Sequence, residues 1–476
     1  MTEHTDARNG FDLRLTAAMI AAKLTGFGIR RLGRGGGTAA PGLVAERLDA
    51  ALLTKLTARL THGAVIVAGT NGKTTTTRMI ADMFEAVPWQ VVHNRSGSNL
   101  VRGVVSAFVQ QASLTGHPGG EIGVIEGDEA ALPELIRRSH PQVILLNNLF
   151  RDQLDRYGEL DSIVRLWRTA LQTLDSSTTI IVNADDPVLV GLTDDLAARR
   201  VCFGLDERVH RLSSLPHAAD AATCRNCGAE LAYHALYVSH LGDWYCPNCG
   251  RKRPPLDYTA RDIQLHGGES LALDVVDRDD EVHHLEVGVP GLYNAYNALA
   301  AVAAGREMGV PWETVTRALD AFRAAFGRIE RITIKGRQIT MALVKNPTGF
   351  NEVLRMLTAG TGTLEHSTLI AINDRDADGR DISWLWDVDF EMLATGDGAL
   401  ATTGLRGADM ANRLKYAGIS GDRIHLLPDD LTAALDTFVD DLPEGAHAYL
   451  LTSYTAMLAL RQTLADRGIV DAFWEQ

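Results

Sequence analysis

The chain has 476 residues, more than one hydrophobic core accommodates, so two or three domains are expected. Apolar residues make up 46%, ordinary for a globular protein, and a formal charge of -14 excludes nucleic-acid binding through the overall field. No apolar run of about 18 residues exists to span a membrane, and the acidic start (Glu3, Asp6, Asp12) is not a signal peptide, so a cytoplasmic protein is expected.

Residues 11–32 read as an amphipathic helix ending in Arg30 and Arg31, broken by Gly35-Gly36-Gly37. Such a stripe packs on the next domain or makes a weak membrane-surface or partner contact. From about 43 to 210 the pattern alternates strand and helix. The runs 63–69, 121–127, 142–148 and 178–185 are short, apolar and end in Gly, Asn or acid. That is the signature of a parallel sheet covered by helices, with ligands at the carboxyl ends of its strands.

The first of these strands runs into Gly69-Thr70-Asn71-Gly72-Lys73-Thr74-Thr75 and then a helix. Backbone N–H groups of such a loop surround a phosphate chain. Lys73 adds charge near the β- and γ-phosphates, and the Thr74 hydroxyl suits Mg²⁺. The loop is shorter than the usual P-loop, because Val67 stands where the first Gly would fall. Glu126 ends the second strand, followed by Asp128 and Glu129, and a carboxylate there suits Mg²⁺, a hard cation. Asn147 and Asn148 end the third strand, and Asn183, Asp185 and Asp186 the fourth. Taken singly, each of these is as well explained as a helix cap. Their convergence on one sheet edge beside a phosphate loop points to a site.

Cys224-x-x-Cys227 and Cys246-x-x-Cys249, each followed by Gly, have the spacing of a tetrahedral Cys₄ zinc ribbon. Four thiolates leave no open position, so that zinc is expected to be structural. The fifth cysteine, Cys202, lies in a predicted strand. A helix is expected near 293–308, and the segment 327–334 closes the region. A third αβ unit covers about 338–476, with strands at 367–374, 398–404, 423–427 and 447–454. After the first of these comes a loop rich in Asp, Arg and Trp, from Asp374 through Asp376, Asp378 and Asp381 to Trp384 and Trp386.

The segments GTNGKTT (69–75), Glu126, NNLFRDQLDRYGE (147–159), NADDP (183–187), YNAYNALAA (293–301) and GRIE (327–330) together resemble the Mur ligases and folylpolyglutamate synthases. The resemblance implies an ATP-dependent ligase in which a carboxylate attacks the γ-phosphate of ATP and an amine captures the acyl phosphate. It implies that Gly69 to Thr75, with Lys73 and Thr74 foremost, belong to ATP, and that Thr74 and Glu126 belong to Mg²⁺. By the same likeness Asn294 and Asn297 contact adenine, Asp185 lies near the nucleotide and Arg328 reaches the phosphates. Two departures narrow the family. Gln153 stands where amino-acid-adding Mur ligases carry a metal-binding His, and no Lys occurs between Lys73 and Lys252 to supply their carbamylated Lys.

A Cys₄ ribbon inserted in the central domain is similar to MurT-type proteins, Mur-ligase-like subunits that pair with the glutaminase GatD. That likeness implies ATP-dependent amidation of the α-carboxylate of D-Glu in the precursor lipid II, with ammonia released from glutamine by the partner. It also implies that Asp381, with Asp378 second, orients the catalytic His of the glutaminase, and Lys345-Asn346-Pro347 is expected to face the acyl-phosphate site. A lipid-linked substrate would place the chain beside the inner face of the cell membrane. The expected architecture is α/β: an N-terminal helical segment (1–42), a Mur-ligase central P-loop domain (43–334) with parallel sheet and zinc ribbon (222–252), and a C-terminal Rossmann-like α/β domain (335–476). The alternatives are an amino-acid ligase of the Mur or folylpolyglutamate type, which the missing His and Lys disfavour, and a zinc-ribbon nucleotide-binding regulator, which the acidic balance disfavours.

Overall fold

The computed structural model describes residues 12–31, 40–94, 99–151, 160–217, 219–267, 269–323, 329–358 and 363–470. Helix α1 (Leu13–Arg31) opens the chain, followed by α2 (Ala40–Leu48) and α3 (Leu52–Thr57). Strand β1 (Ala64–Ala68) and helix α4 (Lys73–Ala86) carry the phosphate loop between them. Then come β2 (Val91–His93), α5 (Val101–Gln111), β3 (Ile122–Glu126), α6 (Leu132–Ser139), β4 (Val143–Leu146), β5 (Thr179–Asn183) and β6 (Arg199–Leu205). β1 is buried along its whole length, as is β3. Strands covered on both faces need continuous apolar runs rather than alternation, which is how these read.

The ribbon hairpin follows as β7 (Ala232–Val238) and β8 (Leu241–Tyr245), and then β9 (Tyr258–His266), β10 (Ser270–Val276) and β11 (Val282–Val287). The nine-stranded sheet has the order β11-β10-β9-β6-β5-β4-β1-β3-β2. It is parallel from β2 to β9, and β10 and β11 add antiparallel at the far edge. β9 to β11 went unread in the sequence, because their exposed faces carry Arg, Asp, Glu and His between the buried positions. The helix Leu292–Glu307, buried almost all round, covers one face of the sheet with α4. α1, α2, α3, α5 and α6 cover the other.

The second sheet has the order β12-β13-β17-β14-β15-β16, built from β12 (Ile329–Ile334), β13 (Arg337–Leu343), β14 (Thr368–Ala371), β15 (Leu400–Thr403), β16 (Ile424–Leu426) and β17 (His447–Thr452). Here the sequence expectation is corrected. Residues 329–334 do not close the central domain. They pair antiparallel with β13 along all six residues, so the second sheet begins at Ile329. The core of this unit lies on both sides of β14 and β17. No helix among the described residues is long and apolar enough to cross a membrane.

Candidate active site

The phosphate loop needs backbone geometry that side chains resist. Gly69 and Gly72 have φ of +146° and +84°, and a Cβ on Gly72 would lie 2.0 Å from Asn297 Oδ1. Gly is therefore required at 72 for both conformation and space. No side chain caps the start of α4. Its first-turn N–H groups thus form an anion site with the positive end of the helix dipole. The two preceding N–H groups are already engaged: Thr70 N–H donates to the Asn148 carbonyl (3.0 Å) and Asn71 N–H to Asn148 Oδ1 (2.8 Å). Thr70 and Asn71 consequently brace the loop through their backbone N–H groups. The Asn148 amide returns a bond to the Asn71 carbonyl (3.0 Å), and the Thr70 hydroxyl donates to the Phe150 carbonyl (3.0 Å).

Lys73 is buried. Its ammonium donates to the carbonyls of Gly69 (2.5 Å) and Thr70 (3.1 Å) and pairs with Glu129 (3.1 Å). The sequence offered Glu129 only as one acid among several, and its partnership with Lys73 is a long-range fact. The Thr74 hydroxyl lies 3.2 Å from Glu126 Oε1. Glu126 is itself fixed at the strand end by Asn94, whose amide accepts from Glu126 N–H (2.9 Å) and donates to its carbonyl (3.0 Å). A hydroxyl and a carboxylate side by side at an uncapped helix start are hard oxygen donors, and this set fits Mg²⁺ beside a polyphosphate.

Asn294 and Asn297 lie one turn apart and are joined by a 2.9 Å bond. Asn294 donates to the Pro290 carbonyl (2.6 Å). Asn297 Oδ1 lies 3.3 Å from the Thr76 hydroxyl and 3.4 Å from the Asn147 amide. They sit directly behind the loop. Asp185 bonds to other elements among the described residues. Its carboxylate is fully buried and accepts from Leu205 N–H (2.9 Å), Arg253 (2.7 Å) and the Tyr296 hydroxyl (2.6 Å). Burial raises its pKa, against the pull of Arg253. Through these bonds, and the Gly242 N–H that its carbonyl accepts (3.0 Å), Asp185 ties the sheet to the ribbon. Asp186 caps the helix Pro187–Leu192 and holds Leu149 N–H (2.9 Å). Arg328 and Gln153 lie outside the described residues.

The four ribbon cysteines converge. Cys224 and Cys249 sulfurs are 3.7 Å apart, Cys227 and Cys246 3.5 Å, and all four lie within 4.8 Å of one another without a disulfide. A tetrahedron with metal–sulfur bonds near 2.3 Å has edges of about 3.8 Å, so the set fits a Cys₄ metal. Each knuckle closes with a Gly at positive φ, Gly228 and Gly250. The ribbon is anchored through Trp244, whose indole N–H donates to the Ala184 carbonyl (2.9 Å). Cys202 stands apart in β6, and burial pushes its thiol up to about 11, which leaves it a poor nucleophile.

The C-terminal unit meets the phosphate loop through Asn346, which caps the helix Pro347–Leu357 and donates to Asn71 Oδ1 (2.8 Å). In the acidic loop two candidates separate. Asp378 is buried and accepts from Thr455 N–H (2.8 Å), the Thr455 hydroxyl and Arg375 N–H (3.2 Å), so it holds the loop to the domain. Asp381 is exposed and accepts from Ser383 N–H (2.8 Å), which keeps its carboxyl below the usual range. Asp387, at the end of this segment, pairs with Arg151 (3.3 Å), which also pairs with Asp220.

Two family models match the chain: the Mur ligase middle domain over residues 67–224 and the MurT ligase C-terminal domain over 343–457. A Streptococcus pneumoniae protein, lipid II isoglutaminyl synthase (glutamine-hydrolyzing) subunit MurT, is 33% identical over 96% of this chain and 99% of that relative. Its namesake from Staphylococcus aureus (strain COL) is 32% identical over 86% and 89%. In fold, the chain is similar to a pseudomurein peptide ligase type C from Methanothermus fervidus (TM-score 0.66, 18% identity, 85% of this chain and 78% of that one). It is also similar to MurF from Acinetobacter baumannii (TM-score 0.63, 17% identity, 89% and 80%). With this identity held over nearly the full length of both chains, and with both family models placed in order, the chain belongs to the MurT family of Mur-ligase-like proteins.

Proposed function

We propose that the chain is the ligase subunit of a lipid II isoglutaminyl synthase. It amidates the D-Glu α-carboxylate of lipid II to D-isoglutamine through an acyl phosphate, using ATP, Mg²⁺ and ammonia that a GatD-type glutaminase releases from glutamine. The observation that carries it is the pairing, in one MurT-family chain, of an ATP-type loop with an exposed Asp381 on a separate loop that Asp378 ties to the C-terminal unit.

The chain's residues divide the work. The α4 N–H groups from Gly72 to Thr75 and the Lys73 ammonium gather the phosphate charge. Glu129 and the carbonyls of Gly69 and Thr70 hold that ammonium at the start of α4. Thr74 and Glu126 would hold Mg²⁺, which supplies charge neutralisation at the transferring phosphoryl group. Asn294 and Asn297 support the loop from behind and are proposed to meet adenine. Gly69, Thr70 and Asn71 set the loop's shape. Asn346 brings the C-terminal unit against that loop, which positions reactants held on either side. Asp381 would accept from the catalytic His of the partner and fix its tautomer. Exposed Trp386, packed edge-on against Tyr416 (5.6 Å between rings), offers the aromatic surface such a partner would grip.

The test is mass spectrometry of lipid II incubated with the chain, ATP, Mg²⁺ and ammonium chloride. Amidation replaces one carboxyl oxygen by nitrogen on the D-Glu residue, with one ADP per amide. ATP turnover without that product, or product with an amino acid in place of ammonia, would overturn the proposal.

The ribbon metal is proposed to be zinc, structural and one per chain. Cys246→Ala then yields protein without stoichiometric zinc by elemental analysis, and a melting temperature lower by about 5 °C or more. Unchanged zinc content in that variant would show that the ligands are elsewhere.

A further inference from the structure

Helix α1 carries an apolar stripe that is exposed among the described residues. Its inner face, Leu15, Ala18, Met19 and Ala22, is fully buried against the domain. On the opposite face Leu13, Ile20, Leu24 and Phe27 are 76%, 43%, 65% and 55% exposed. At 100° per residue these four fall within one narrow arc. Exposed apolar residues scattered singly need no explanation, but four in a line do.

The charge of this helix is equally distinctive. The chain carries -14, yet α1 contains Arg14, Lys23, Arg30 and Arg31 and no Asp or Glu. Arg14 and Lys23 flank the stripe on opposite sides and are tethered to the backbone at Leu48 (2.7 Å) and Gln110 (3.2 Å). Arg31 continues the stripe, with its guanidinium 5.9 Å from the Phe27 ring centre. A cationic border around an apolar line is the pattern of a helix lying in a membrane interface, with long basic side chains reaching for headgroups.

Its placement suits the chemistry. α1 runs antiparallel to α5: Leu15 lies over Gly116, beyond the end of α5, and Gly26 lies against Pro41, next to the Gly42 that bonds Ser106 of α5 (2.9 Å). The start of α5 follows Asn99, whose carbonyl accepts Asp128 N–H (3.0 Å) at the rim that carries Glu126. The basic end of α1 is therefore the end nearer the reaction site.

We infer that the outer face of α1 docks on an anionic lipid bilayer and brings the rim of the site to a substrate whose tail is in that bilayer. The second half of this inference rests on the proposed lipid-linked substrate, whereas the docking itself does not. The test is flotation of the purified full chain with vesicles of equal parts phosphatidylcholine and phosphatidylglycerol, and with phosphatidylcholine alone. Wild type should float with the anionic vesicles, less so as salt rises, and Leu24→Glu/Phe27→Glu should reduce the bound fraction by about tenfold or more at unchanged melting temperature. Lys23→Glu/Arg31→Glu should lose the preference for anionic lipid. Both double variants should keep wild-type turnover on a water-soluble, tail-truncated substrate and lose it on vesicle-bound substrate. Failure of wild type to float would overturn the docking. So would unchanged flotation of Leu24→Glu/Phe27→Glu accompanied by loss of the glutaminase or of a homodimer, which would make the stripe a protein interface. If no variant amidates either substrate while flotation behaves as described, the amidation proposal fails and the docking stands.

Discussion

Lys73→Ala combined with Glu129→Gln is expected to lower ATP-dependent amidation by about 10²–10³-fold relative to Glu129→Gln alone. The double change matters because Lys73 and Glu129 are both buried and paired at 3.1 Å. Removing the lysine alone would leave a carboxylate buried and uncompensated, at a cost of about 3–5 kcal/mol, and lost activity would then be confused with lost fold. With the acid neutralised, what disappears is the positive charge at the start of α4. ADP release and amide formation should fall together, with zinc content and melting temperature near those of Glu129→Gln. Glu126→Gln makes the same point from the metal side. The amide keeps the shape and the Asn94 brackets, which involve only the backbone of residue 126. It removes the anionic oxygen beside Thr74, so the Mg²⁺ concentration needed for half-maximal turnover should rise. Turnover within tenfold of the single-variant baseline would mean that the phosphoryl group is handled elsewhere.

The site was legible where it is local. The strand, Gly loop, lysine and helix of residues 64–86 are contiguous, and their spacing alone specifies a phosphate-binding geometry. The four cysteines were legible for the same reason, since a metal knuckle is a short-range motif. What the sequence could not supply were the pairings that give common residues distinct jobs. Asn148 looks like any strand-end amide, yet it takes up the N–H of Asn71 and so braces the phosphate loop. Asp185 carries the same local signal as Glu126. Arg253, 68 positions away, and Tyr296, 111 away, hold it as a buried strut, and neither pairing shows in the local pattern. The second sheet's first strand was misassigned because its boundary is a matter of which neighbour it bonds, and alternation within 329–334 does not name the partner. For α1 the sequence reading of one apolar stripe is corrected for a related reason. The helix is apolar on two faces, and only the fold shows which one is covered.

Asp381→Asn should separate the two nitrogen sources. In the complex with the glutaminase, glutamine-dependent amidation should fall by about 10²–10⁴-fold, as expected when a triad carboxylate can no longer hold the imidazole in its working tautomer. Ammonium-dependent amidation by the same protein should stay within about twofold of wild type, because Asp381 is exposed and its bonding among the described residues is local, to Ser383. Asp378→Asn is the discriminating companion. That carboxylate accepts from Thr455 and Arg375 inside the domain, so its loss should cost about 1–3 kcal/mol in stability and weaken both nitrogen routes through disorder of the loop. A pH profile adds a readout that simple loss of docking would not change. Wild-type glutamine turnover should fall on the acid side as the partner's His protonates, and the surviving activity of Asp381→Asn should show that limb shifted to lower pH, because a neutral amide no longer stabilises the imidazolium. Equal loss of glutamine- and ammonium-driven turnover in Asp381→Asn, or a selective loss in Asp378→Asn instead, would move the triad role off Asp381.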